Sequence, residues 1–305
     1  MNVAFLFPGQ GSQQPGMLHH LLPHPAAEEV LQEMSQTLGF DLRVTDSEDA
    51  LKSTVSIQLA LLASGVATAR VLIQRGMQPT AVAGLSIGAF AAAVVAEALS
   101  LSDATRLVRS RAEQMERMYP SGYGLAALVG LNETQVTGLV QAVSSEAHPV
   151  YVANINAPRQ IVIAGSIDAM NEVLRRAVEL GARKAELLHV SVPSHCPLLQ
   201  PIANSLREQL RSMQVLDPRF VYISNVNARA IRSAAGIATD LADNIAHGVR
   251  WHDATSVAQE LGCQLFLEMP PGHVLSDLAR ENLPEVEAYP VVSGSLDRLL
   301  QRAQS

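Results

Sequence analysis

The sequence predicts an α/β fold, a core of parallel strands split by a small α+β insertion. Three observations predict it. Short apolar runs stopped by Gly or Pro alternate with helical patterns at both ends of the chain, the texture of strands buried on both faces. Between about 124 and 192 the order changes to strand-helix-strand-strand-helix-strand. The chain has 305 residues, 48% of them hydrophobic and 17% charged, enough for one large domain carrying an inserted one.

Residues 2–7 form the first apolar run, halted by Pro8-Gly9 and followed by a polar loop over 10–15. Residues 55–74 read as a helix because Ile57, Leu61, Leu62 and Val66 recur at helical spacing. Residues 81–83 make a second buried strand, which turns sharply at Gly84-Leu85-Ser86-Ile87-Gly88 into an Ala-rich helix over 89–98. A helix over 103–118 ends at Pro120 and Gly122. In the insertion, residues 125–131 are a strand and Asn132 caps a helix reaching about 145. Strands over 150–154 and 160–164 flank a turn at Asn156-Ala157-Pro158. A helix over 168–180 closes at Gly181, and residues 185–190 are the fourth strand of a ferredoxin-like pattern. Alternating segments resume over 197–213, 220–224, 237–246, 253–262 and 265–268. The expected division is a catalytic core of residues 1–123 and 193–305 around a small subdomain of residues 124–192.

Composition removes several function classes. The net charge is −7 with no Lys/Arg run, which argues against nucleic acid as a partner. Only Lys52 and Lys184 of the 22 basic residues are lysines. The two cysteines, Cys196 and Cys263, build neither a disulfide framework nor a metal cluster, as in a reducing compartment. The N-terminus lacks the basic region and long apolar run of a signal peptide. The longest apolar stretch, about 81–101, is interrupted by Ser86, Glu97 and Ser100 and is not a membrane span. The expected address is cytoplasmic.

Gly84-x-Ser86-x-Gly88 stands where a strand turns into a helix, the context in which G-x-S-x-G marks a nucleophile elbow. So tight a turn needs small residues on either side, and it leaves Ser86 at a helix N-terminus whose free N–H groups can face an oxyanion. An ordinary strand–helix turn with a capping serine would share the pentapeptide. A serine nucleophile needs a base. His19, His20 and His24 read as surface, and His148 and His189 as structural residues of the insertion. His195 lies in Val192-Pro193-Ser194-His195-Cys196-Pro197, a loop shaped by two prolines where the chain re-enters the core. Cys196 reads as a packed thiol.

Four segments carry a resemblance to the malonyl-CoA:acyl-carrier-protein transacylase family, which includes the acyltransferase domains of fatty-acid and polyketide synthases. They are Phe7-Pro8-Gly9-Gln10-Gly11-Ser12-Gln13, the serine elbow, Arg111 in the helix after it, and Val192 to Cys196. Asn154-x-Asn156-x-Pro158 and Pro271-Gly272 also resemble family segments, so the likeness spans the chain. It implies an α/β-hydrolase-like core with a ferredoxin-like insert, and a ping-pong acyl transfer. Ser86 would be the nucleophile, His195 the base and acid, and the N–H groups of Gln10 and Ile87 the oxyanion hole. Arg111 would bind the free carboxylate of the malonyl group. Asn156 and Leu85 would complete the substrate pocket, and a carbonyl of Gly248-Val249-Arg250-Trp251, with Arg250 as the candidate, would orient His195.

No cofactor is expected to be permanently bound. Malonyl-CoA, a coenzyme A thioester, would be the donor, and the phosphopantetheine-type arm of an acyl carrier protein the acceptor. Leu85 stands where the family has histidine, and Ala89-Phe90 where it has glutamate and an aromatic. Gly-Leu-Ser-Ile-Gly-Ala-Phe resembles the transacylase (epsilon) subunit of bacterial malonate decarboxylase more than the fatty-acid enzyme, which implies that system's carrier subunit as partner. Fatty-acid or polyketide synthesis is the alternative setting, and a serine hydrolase the alternative chemistry. An acidic carrier would need a local basic patch, for which Arg175, Arg176, Arg183 and Lys184 are the candidates.

Overall fold

A computed structural model of the chain describes residues 1–119, 121–188, 190 and 192–304. The chain opens with β1 (Asn2–Phe7), α1 (Pro25–Leu38), α2 (Thr54–Gln74), β2 (Ala81–Gly84), α3 (Gly88–Val95) and α4 (Leu101–Met118). Then follow β3 (Tyr123–Val129), α5 (Glu133–Val143), β4 (Val150–Ala157), β5 (Gln160–Ser166), α6 (Ile167–Glu179) and β6 (Lys184–Leu187). The last third holds α7 (Gln200–Arg211), β7 (Val221–Ile223), β8 (Ala230–Ile231), α8 (Ala234–Asp243), α9 (Trp251–Glu260), β9 (Cys263–Glu268), α10 (Val274–Asn282), β10 (Glu287–Pro290) and α11 (Leu296–Gln304).

Two sheets result. The larger has the order β10-β9-β1-β2-β7-β8, parallel throughout except for β8, which runs antiparallel to β7. Its central strands are buried on both faces, so Val3 to Phe7 and Ala81 to Gly84 are apolar without alternation. The smaller sheet, β4-β5-β3-β6, is antiparallel and shows the ferredoxin-like order for its βαββαβ segment. Here β3 alternates buried and half-buried residues, because one face packs on α5 and α6. The other face meets the loop carrying Cys196.

α2 is long and apolar enough to cross a bilayer, yet most of it is buried against α1, α3 and α4. α4 is amphipathic: Leu101, Ala104, Leu107, Val108, Arg111 and Met115 form one buried stripe at three- and four-residue spacing. Asn132 caps α5 as expected, and Gln135 returns the hydrogen bond.

The structure moves several expected boundaries. The helix after the elbow stops at Val95, since Glu97 takes a φ of 60° and reverses the chain before Ala98. β4 runs through Asn156 and Ala157, so the turn falls on Pro158-Arg159. β3 ends two residues before Leu131, because Gly130 at φ 106° turns the chain toward the Asn132 cap. β1 and β2 are neighbours, with Phe7 opposite Gly84, so the loops that follow them leave the same sheet edge side by side. The crevice outside the carboxyl ends of parallel strands is where such sheets bind ligands.

Candidate active site

The elbow is held by backbone packing. A Cβ on Gly84 would lie 2.0 Å from the carbonyl carbon of Gly88, and one on Gly88 would lie 2.2 Å from the Phe7 oxygen. No side chain fits at either position. A Cβ on Gly9 would lie 2.9 Å from the Leu85 carbonyl, so the loop after β1 presses directly on the elbow. Ser86 has a φ of 55°, in the left-handed region that non-glycine residues rarely occupy and that marks strained, functional turns.

His195 also stands at positive φ, 65°, and its N–H donates to the Ile245 carbonyl at 2.8 Å. Its Nδ1 lies 2.7 Å from the carbonyl oxygen of Asn244, and its Nε2 lies 2.8 Å from Ser86 Oγ. A carbonyl can only accept, so Nδ1 carries the proton and Nε2 presents its lone pair to the Ser86 hydroxyl. The orienting carbonyl is therefore Asn244, not Arg250. The Arg250 carbonyl already accepts from Ala254 N at 2.9 Å as the first acceptor of α9. Asn244 follows the last residue of α8, where a helix leaves its carbonyls free.

Arg111 comes off the buried stripe of α4, is 1% exposed, and reaches Ser86 from the other side. Its Nη1 donates to Gln58 Oε1 at 2.6 Å and its Nη2 to Ser86 Oγ at 3.3 Å, while Nε has no partner among the described residues. No carboxylate pairs with it among the described residues. Burial lowers its pKa to about 9, which leaves it cationic at neutral pH. A buried cation without a counter-ion is costly unless an anion arrives to share the site. Burial, and second the Arg111 charge, hold His195 down at about 4, so it is neutral near pH 7. Burial pushes the Cys196 thiol up to about 12, and its Sγ–H donates to the Pro193 carbonyl at 3.1 Å. That thiol is packed and unreactive.

These groups open on a cavity of about 230 Å³ between the core and the small sheet: Gln10, Ser86, Arg111 and His195 line it from the core side, Asn156 of β4 and Leu188 just after β6 from the other. Leu85 also lines it. Asn156 Oδ1 is buried with no partner among the described residues, an acceptor available to a ligand N–H. The N–H groups of Gln10 and Ile87 donate to no protein acceptor among the described residues. The Ser86 N–H, by contrast, is engaged by Asn225 Oδ1 at 2.9 Å. His189 lies outside the described residues. Among the described residues no group of three or more His, Cys, Asp or Glu could hold a metal ion.

Sequence reasoning missed Gln58, Asn225 and Asn244. Gln58 hides in a helix buried all round, and the two asparagines follow a strand and a helix, more than a hundred residues from the elbow they bind. Arg111 did leave a signal: it is the arginine on the apolar stripe of α4, whereas Arg106, Arg109 and Arg117 face solvent or its margin.

Residues 4–299 match the family model of the acyl transferase domain. The chain belongs to that family. This acyltransferase is 35% identical over 283 residues to the malonyl CoA-acyl carrier protein transacylase of Salmonella typhimurium, covering 91% of each chain. It is 36% identical over 285 residues to the Bacillus subtilis protein of the same name, covering 92% of this chain and 90% of that one. The solved structure of the Coxiella burnetii malonyl CoA-acyl carrier protein transacylase matches with a TM-score of 0.95 at 32% identity, over 100% of this chain and 98% of that chain. A malonyl-transacylase solved in complex with a type II PKS acyl-carrier protein matches with a TM-score of 0.94 at 33% identity, over 99% of this chain and 100% of that one.

Proposed function

We propose that this acyltransferase moves malonyl from malonyl-CoA, through an ester on Ser86, to the thiol of an acyl carrier protein. One observation carries the reading: Ser86 Oγ lies between a neutral, correctly tautomeric His195 and a buried Arg111 with no carboxylate partner among the described residues. The serine proton passes to His195 Nε2 as Oγ attacks the thioester carbonyl. The Gln10 and Ile87 N–H groups face the developing oxyanion, and the leaving coenzyme A thiolate takes the proton back from His195. The carrier thiol then gives its proton to His195 and attacks the ester, restoring Ser86. The malonyl carboxylate accepts from Arg111 Nε and Nη2, the guanidinium edge that Gln58 leaves free.

The relatives described above are named for acyl carrier protein, and one solved neighbour holds a polyketide carrier. They support a carrier of fatty-acid or polyketide synthesis over the malonate decarboxylase carrier. The residues that favour the latter, Leu85 and Ala89-Phe90, bear on pocket shape: Leu85 lines the cavity against the Gln10 loop, while Ala89 and Phe90 are buried in the core. The division at residues 124 and 192, and a cytoplasmic address, belong to the same reading.

The test is intact-mass spectrometry after mixing with malonyl-CoA, followed by addition of each carrier. One malonyl adduct on the parent, none on Ser86→Ala, and faster discharge to a fatty-acid or polyketide carrier is the expected result. Faster discharge to a malonate decarboxylase carrier would restore that setting. Release of free malonate at the carrier-transfer rate would make the protein a hydrolase. An adduct surviving in Ser86→Ala would refute the nucleophile.

A further inference from the structure

Ser86 is held in its left-handed conformation by two buried asparagines. Asn225, 3% exposed, donates from Nδ2 to the Gly84 carbonyl at 2.6 Å and accepts the Ser86 N–H on Oδ1 at 2.9 Å. Gly84 O can only accept and Ser86 N can only donate, so the orientation of this amide is fixed. It bridges the peptide groups on both sides of Leu85, the residue before the nucleophile. Asn244, fully buried, donates from Nδ2 to the Ser86 carbonyl at 3.0 Å, while its own carbonyl holds His195.

Asn225 is itself anchored. The buried carboxylate of Asp240 accepts from the Tyr222 hydroxyl at 2.7 Å, from the Ser224 hydroxyl, and from the Asn225 and Val226 N–H groups at 3.3 and 3.2 Å. Asp240 and Asn244 lie one turn apart at the end of α8, joined by the Asn244 N–H to Asp240 carbonyl bond at 2.9 Å. One helical turn thus holds both the nucleophile's backbone and the base. Residues in strained conformations persist only where their surroundings over-determine them.

We propose that Asn225, anchored by Asp240, is a positioning residue that clamps the elbow so that Ser86 Oγ meets the lone pair of His195. This rests on Ser86 being the nucleophile, and it extends that reading to residues that touch no substrate. Displacing a reacting group by about an ångström costs on the order of a hundredfold in rate.

The test is single-turnover acylation by malonyl-CoA, followed by quenching and intact mass, on the parent, Ser86→Ala, Asn225→Ala, Asn225→Asp and Asp240→Asn proteins. Asn225→Ala should reach the parent's final stoichiometry about 10- to 100-fold more slowly, at an almost unchanged half-saturating concentration of malonyl-CoA. Asn225→Asp keeps the acceptor for the Ser86 N–H and loses the donor to Gly84, so its rate should lie between the two. Asp240→Asn should slow acylation in the same manner. A merely structural defect would instead give partial stoichiometry at the parental rate, and that result overturns the clamp, as would a parental rate at full stoichiometry. If Asn225→Ala does not fold, a parental rate in Asn225→Asp overturns it equally. Absence of any Ser86 adduct on the parent would sink the nucleophile reading itself, a separate outcome.

Discussion

At the scale of the residue, the site is an electrostatic balance among three side chains. In the proposed reaction His195 must be neutral to accept the Ser86 proton, and its pKa of about 4 keeps it so across the neutral range. The sign follows from the two causes. Burial disfavours imidazolium, and so does the Arg111 charge, so the base is lost only as pH falls through about 4 in the free enzyme. A malonyl carboxylate on Arg111 cancels part of that charge and raises the pKa of the bound state. The acid limb of acylation at saturating malonyl-CoA should therefore lie at higher pH than the limb at low substrate, whereas acetyl-CoA, with no carboxylate, should give coincident limbs. Rapid-quench acylation rates between about pH 4 and 8 measure both. Arg111→Ala should cost about 2–4 kcal/mol with malonyl-CoA and far less with acetyl-CoA; equal losses would leave Arg111 a structural residue. The same shift couples folding to pH. The folded pKa lies below the unfolded 6.5, so the contribution of His195 to stability is full above 6.5 and fades as pH falls toward 4.

At the scale of the element, the turn from β2 into α3 is set by what a methyl group would strike. Gly88 packs on the carbonyl of Phe7 from the neighbouring strand, and backbone cannot yield as a flexible side chain would. Gly88→Ala should destabilise the fold by about 3 kcal/mol or more and remove acylation, read as a fall in Tm and loss of the malonyl adduct. A Tm and adduct matching the parent would mean the elbow is looser than its contacts imply. α4 and α8 act at the same scale. α4 delivers Arg111 from its buried stripe, and α8 spaces Asp240 and Asn244 by one turn, so each contributes a rigid offset between groups that chemistry needs at fixed distance.

At the scale of the whole molecule, the cavity exists because the small sheet closes over the carboxyl edge of the large one. The contact is made through backbone: Ile155 N donates to Val249 O at 2.8 Å, and Val249 N to Ala153 O at 2.8 Å. Three of the four residues of the expected basic docking patch are paired with carboxylates, and Arg183 has no ion pair among the described residues. Arg175 pairs with Glu172 and Glu179, Arg176 with Glu172, and Lys184 with Glu186. The two arginines hold Glu172 well below the usual carboxylate range. Cations matched by neighbouring carboxylates leave little net positive potential to steer an acidic partner. Replacing Arg175 and Arg176 together by alanine should change kcat/KM for the carrier by less than about twofold and leave its salt dependence nearly unaltered. A large loss, steeper at low salt, would place the carrier on α6.

Read alone, the chain determined whatever local rules decide. Apolar runs closed by Gly and Pro announced the buried strands β1 and β2, the strand-and-helix order announced the small antiparallel sheet, and small residues two positions either side of Ser86 announced the elbow. The same sequence drew attention to His195 through its prolines, and to Arg111 through family likeness. Only the tertiary structure decided the groups that hold these residues in place. Nothing local distinguishes Asn225 or Asn244 from any loop asparagine, or Arg250 from a histidine-orienting neighbour. Their roles depend on which backbone donor or acceptor is left over once helices and strands have taken theirs. The Arg250 carbonyl was taken by the first turn of α9, and the Asn244 carbonyl was left free by the end of α8.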